Sequence, residues 1–120
     1  MPSWQPDWSD VPFDHPAAHE YAAVCRRTSA TLRHIAEQRT YLASQAVVDW
    51  EGPKRVRFDG DIARWNTEAS TVADQLLAVA ARVEAASDTA RHFQAQREAG
   101  RVRWWAERQT EESAAEAASR

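Results

Sequence analysis

The sequence predicts an all-α protein, two long amphipathic helices folded back on each other as an antiparallel hairpin. Three observations predict it. Apolar residues recur at alternating spacings of four and three on both sides of a single break. That break contains Gly52 and Pro53, the residues that end one helix and open another. Alanine makes up about a fifth of the chain and glycine is scarce, a balance that favours helix because alanine loses no side-chain entropy on folding. A chain of 120 residues forms one domain, or two at the most, around a modest core.

The elements follow in order. Residues 1–14 carry Pro2, Pro6 and Pro12, which forbid a regular helix. Trp4, Trp8, Val11 and Phe13 make the segment too apolar for a simple disordered tail, so it reads as an extended arm lying on another surface. The first helix is predicted over residues 16–48, with Asp14 able to accept free backbone amides and Pro16 suited to the first helical position. Its stripe runs through Tyr21, Cys25, Thr28, Leu32, Ile35, Arg39, Leu42 and Ala46. Arg39 is its one clear violation, and a long stem lets its charged head reach water. The turn occupies residues 49–53. The second helix is predicted over residues 54–108, with the stripe Phe58, Ile62, Trp65, Ala69, Val72, Leu76, Val79, Val83, Ala86, Ala90 and Phe93. Gly60 is its weak point, expected to bend the first turns. Residues 109–120 are polar and alanine-rich, and read as a frayed, flexible tail.

The stripes are expected to face one another as the seam of the hairpin. Leu32, Ile35 and Leu42 would then meet Phe58, Ile62, Trp65, Val72, Leu76, Val79 and Val83. Off that seam lie smaller residues, among them Ala36, Ala43, Val47, Ala73, Ala80 and Ala81. They are read as a surface that lets another helix approach closely, giving a dimeric four-helix bundle, or else as helix-favouring surface only. The second helix is the longer, and its excess exposes Phe93, Val102, Trp104 and Trp105. The arm residues Trp4, Trp8 and Phe13 are expected to cover that aromatic end.

Charge and motif content narrow the function classes. A net charge of −3 argues against a general nucleic-acid binder, which needs a basic excess to collect phosphates. The lone cysteine, Cys25, cannot form an internal disulfide, and on the seam it reads as a small apolar group. No basic stretch followed by an apolar run marks a signal peptide, and no window approaches the ~18 apolar residues of a membrane span. His15 and His19 are four apart, a spacing that can set two ligands on one helix face, but no further ligand is near and they read as solvated. His34 and Glu37 read as a surface pair, and Asp59 and Asp61 point to different faces. No nucleophile elbow or phosphate loop exists. Neither catalytic nor metal-binding residues, nor any cofactor, are therefore assigned. The Arg101–Trp105 segment is expected to pack with the arm, in preference to stacking bases or touching an anionic membrane surface.

Trp50-Glu51-Gly52 between two helices, with Phe58 eight residues after the tryptophan, Trp65 fifteen after, and the seam continuing at Val72, Leu76, Val79 and Val83, resembles the WXG family. These are the early-secreted-antigen-like helical hairpins of bacterial type VII secretion. The resemblance covers residues 16–98 and implies a four-helix bundle, formed with itself or with a second hairpin of the same kind, that leaves the cytoplasm folded through a membrane ATPase machine, without a signal peptide. It implies that Trp50 and Gly52 shape the turn and form part of a surface read by that machine; the residues themselves equally allow Trp50 simply to cap the hairpin core. The chain departs from the pattern where exported members carry Tyr, three residues, then Asp or Glu. Phe93 stands at the tyrosine, Arg97 at the acidic position, and Glu98 one residue late. The Trp-rich arm and the Trp104-Trp105 segment are additions to the minimal pattern. The expected function is a non-enzymatic protein-interaction module, a substrate of such a system or a substrate's partner. The alternative is a cytoplasmic adaptor or export chaperone that binds a client and stays inside.

Overall fold

The computed structural model describes residues 3–120, so the first two residues of the arm lie outside it. Two helices account for the secondary structure of the described residues, α1 (His15–Ala46) and α2 (Pro53–Ala118). Two compact units divide the chain: His15–Glu84 forms a helical hairpin, and Ala85–Arg120 forms the second unit with the arm that ends at Asp14.

In the hairpin unit the helices meet through small residues. Ala22, Ala73 and Ala80 are wholly buried, and Cys25, Ser29 and Val47 lie with them. Residues 22, 25 and 29 on α1 and 73, 76 and 80 on α2 repeat the three-four spacing of close helix packing. Their small size lets the backbones approach until the Ser29 hydroxyl donates directly to the Ala73 carbonyl at 2.9 Å. Leu76, Val79 and Val83 close one side of this contact. Across it, Arg26 grips Glu84 with both terminal nitrogens, Arg33 pairs with Asp74, and Asn66 donates to the Thr40 hydroxyl at 2.6 Å. The Arg26 bond holds the Glu84 carboxyl below its ordinary range.

This corrects the expected seam in part. Val47, Ala73 and Ala80, assigned to an outer surface, are buried while Ala81 is exposed; Cys25, Leu76, Val79 and Val83 of the expected seam do lie at the inner contact, and the rest of the large stripe lies on the flank. Leu42 is 64% and Trp65 46% exposed, and Ile35 and Val72 are similarly open. Leu32, Phe58, Ile62, Leu76, Val79 and Val83 are half-buried. The physical reason is distance: alanine and serine allow a close approach that brings two backbones and their polar partners together, whereas a leucine–tryptophan seam would hold them apart.

Two further expectations change. The helix runs unbroken through Gly60, whose α-carbon faces open space. The tail is helical to Ala118 rather than frayed. Alanine and glutamate favour helix there, and Arg108–Glu112 and Arg120–Glu116 are paired one turn apart at 3.0 and 3.1 Å.

Enlarging the small contact tests it. Ala80→Leu is expected to destabilise the hairpin by about 1–3 kcal/mol through overpacking, read as a lower thermal midpoint of the helical circular-dichroism signal. Ala78→Leu, on an exposed position of the same helix, is expected to change stability by less than about 0.5 kcal/mol.

Candidate functional site

The turn closes the hairpin through one arginine. Gly52 adopts φ +84°, a conformation that costs any residue with a β-carbon. Pro53 then opens α2, and the Gly52 carbonyl accepts from the Val56 amide at 3.2 Å. Arg55 reaches back to donate to the carbonyl of Val47 at 2.7 Å, which also accepts from the Trp50 amide at 2.9 Å, and to the carbonyl of Trp50 at 3.2 Å. Asp59 fixes that guanidinium at 2.9 Å. Periodicity does not single out Arg55; a cation one turn after a helix break is the pattern that marks it. Trp50 rests edge-on against Phe58, ring centroids 5.5 Å apart, and stays half exposed. Its ring therefore packs on the hairpin and presents an aromatic surface at the turn.

From the turn the exposed stripe forms a shallow apolar groove along both helices. Ile35, Leu42, Phe58, Ile62 and Trp65 line about 510 Å³ of it. Leu32, Glu68, Ala69 and Val72 line an adjoining 490 Å³, with Arg39 and Trp65 shared between the two. The Arg39 guanidinium lies 5.7 Å from the Trp65 ring centroid, a cation–π contact that accommodates a charge on an apolar face.

The second unit carries a different surface. Gln94, Arg97, Arg101, Trp104 and Arg108 alternate spacings of three and four along one face of α2, and the arm lies on that face. Arg101 donates to the carbonyls of Asp7 at 3.0 Å and Ser9 at 2.7 Å, and pairs with Asp10 at 3.1 Å. Arg97 donates to the Ser9 carbonyl at 3.1 Å and approaches the Asp7 carboxylate at 3.4 Å. Gln94 accepts from the Val11 amide at 2.8 Å and donates to Asp10 at 2.9 Å. These carbonyls and amides have no secondary-structure partner in a proline-broken arm, so the side chains of the helix supply them. Arg97 and Gln94 were not read as arm contacts from the sequence. The signal available was that the spacing continues past Phe93 with polar and cationic residues.

The aromatic end patch assembles beside these bonds. Trp8 stands edge-on to Trp104 at 5.3 Å and near Trp105 at 6.3 Å, and Trp104 and Trp105 meet at 4.9 Å. Arg108 lies over both rings, at 5.5 and 5.3 Å. Trp4 donates to Glu107 at 2.7 Å beneath the Arg103 guanidinium, 4.2 Å from its centroid. Trp104 is buried, while Phe93, Val102 and Trp105 remain exposed. Of the export-signal positions, Phe93 is thus open, Arg97 is held by the arm, and Glu98 accepts from Gln94 at 3.1 Å.

Among the described residues no group of three or more His, Cys, Asp or Glu converges, and no helix is long and apolar enough to cross a membrane. Cys25 is buried in the helix contact. No protein-family model matches this chain, and no match is found among curated proteins or solved structures.

The turn and the arm can each be tested. Gly52→Ala meets no atom within 4 Å, so its cost is backbone strain alone, about 1–2 kcal/mol. Gly52→Asn is expected to lose less, since asparagine tolerates positive φ, and urea unfolding ranks the two. In the arm, the Asp7 carboxyl is lowered first by the Ser9 hydroxyl and amide, then by Arg97 and Arg101; that of Asp10 is lowered by Gln94 and Arg101. Because the Asp7 shift comes mostly from Ser9 within the arm, it is Asp10, bonded by Gln94 and Arg101 of α2, whose carboxylate favours docking, and that contribution is fully present above the ordinary aspartate value of about 4. It is lost as pH falls through the lowered value. Tryptophan emission is therefore expected to stay constant from neutral pH to about 5 and to shift red below about 4. In Asp7→Asn/Asp10→Asn that acid transition is expected to shrink, with the shifted emission already present at neutral pH.

Proposed function

We propose that this chain is a non-enzymatic protein-interaction module whose hairpin pairs its apolar face with a second hairpin, as WXG-like proteins do, and that it serves a type VII secretion system as a substrate or a substrate's partner. One observation carries the reading. The hairpin closes on its small residues and leaves Ile35, Leu42, Trp65 and Val72 outside on one continuous face. A contiguous apolar strip of this kind marks an interaction surface. The half-exposed Trp50 at a turn made by positive-φ Gly52 supports the resemblance to the WXG turn.

A second reading has its own observation. The position where exported members carry an acidic residue is Arg97, and the arm engages it through Ser9 and Asp7. That arrangement favours an adaptor or export chaperone that binds a client and remains inside. Fractionating culture medium from cells with and without the secretion ATPase separates the two: ATPase-dependent appearance of the chain outside supports the first, and retention alongside a secreted client supports the second.

Pairing itself is tested by light scattering coupled to size-exclusion chromatography, alone and with the protein encoded beside it. Leu42→Asp/Val72→Asp is expected to preserve helicity, because both positions are exposed in the hairpin. It is expected to weaken pairing at least tenfold, on the order of the ~1.5–3 kcal/mol that burying one such side chain contributes. Unchanged association in that variant would place the partner on another surface.

A further inference from the structure

The face of α2 that holds the arm is basic, and the arm is acidic. Residues 91–108 carry five arginines against two glutamates, while residues 3–14 carry Asp7, Asp10 and Asp14 with no lysine or arginine. The contacts fall at the spacing of an extended chain. Arg101 donates to the carbonyls of Asp7 and Ser9 and pairs with the Asp10 carboxylate. Gln94 follows one residue later, accepting from the Val11 amide while donating to Asp10. Trp8, between the two carboxylates, stands against Trp104. A proline-restricted segment suits such a face because it loses little freedom on docking. A phosphate chain suits it less, since it offers acceptors only and the Gln94 carbonyl takes a proton here.

Most of these bonds read backbone or charge, so another segment of the same chemistry can make them. The arm also leaves the face incomplete. Trp104 is 4% exposed, yet its indole N–H has no acceptor among the described residues. A buried donor without an acceptor is costly, so an occupant that brings one there gains a bond the arm does not make. Alongside, a cleft of about 340 Å³ lined by Pro6, Val11, Phe93 and Arg97 stays open between the arm and the helix. The carboxylates paired to Arg97 and Arg101 reach water, and each such pair holds the arm weakly.

We propose that the face of α2 from Gln94 to Arg108 is a recognition surface for an extended acidic segment of a partner protein, with two carboxylates three residues apart flanking an aromatic side chain. The arm occupies that surface in the isolated chain and is displaced when the partner binds. This surface is distinct from the apolar face of the hairpin, and its use does not depend on pairing there.

Fluorescence anisotropy with the full chain tests it, using a dye-labelled synthetic peptide of residues 3–14 as the probe. A tethered arm competes at an effective concentration of about millimolar, so the wild-type chain is expected to bind the peptide weakly. Trp8→Ala/Asp10→Asn removes two anchors of the chain's own arm at exposed positions. That variant is expected to bind the peptide about tenfold or more tightly than wild type. Adding Arg97→Glu/Arg101→Glu, with helicity checked, is expected to abolish the gain. A peptide of the same composition in scrambled order is expected to bind about tenfold more weakly. Failure of both wild type and the arm variant to bind the peptide leaves the arm as a fixed strap and overturns the proposal. Equal binding by the two chains, or binding that survives the arginine exchange, overturns it by placing the peptide on another surface. Equal binding of the scrambled peptide overturns the spacing. An oligothymidylate of similar length that binds the arm variant as tightly as the peptide does overturns a peptide as the occupant.

Discussion

The close contact of α1 with α2 governs the hairpin. Ala22, Ala73 and Ala80 bring the backbones near enough for the Ser29 hydroxyl to reach the Ala73 carbonyl. A side chain bonded to the opposite backbone sets register as well as distance, and the Arg26–Glu84 and Arg33–Asp74 pairs repeat that register on either side. These pairs are partly exposed and contribute little energy individually. Their importance lies in register: a slip of one residue would separate them and push a larger side chain into the alanine contact.

The apolar face is a consequence of that contact. A helix has room for one narrow seam, and here small residues occupy it. Leucine, isoleucine, valine and tryptophan are left on the adjacent strip, where Leu76, Val79 and Val83 still shield one edge of the core. A hairpin built this way is held together by proximity, with its largest hydrophobic side chains available for association. The proposed function draws on that division of labour.

The second unit solves a different problem by different means. A segment with proline at positions 6 and 12 cannot satisfy its own backbone. Gln94, Arg97 and Arg101 bond to its carbonyls and amide, and the Trp8–Trp104–Trp105 group adds apolar contact. Arginine suits this role because its planar fork donates to two acceptors at once. The arm is thus bound by side chains of one helix face, with the Asp10 carboxylate paired to Arg101 and that of Asp7 near Arg97.

The all-α class, the position of the turn, the start of both helices to within a residue or two, and the existence of an apolar stripe were legible in the amino-acid order. They follow from period, from Gly52 and Pro53, and from alanine content, all of which act locally along the chain. The concentration of Trp4, Trp8, Trp104 and Trp105 near the arm and the end of the second helix was legible in the same way. Local pattern could not say which of two adjacent stripes would face inward, because the large and the small residues share the same three-four period. That choice was made in three dimensions, by the distance at which two backbones settle. The helical state of residues 109–118, the Arg55 bonds that close the turn and the Arg97 and Arg101 bonds that hold the arm were decided at the same level, because each depends on groups that meet only after the chain has folded.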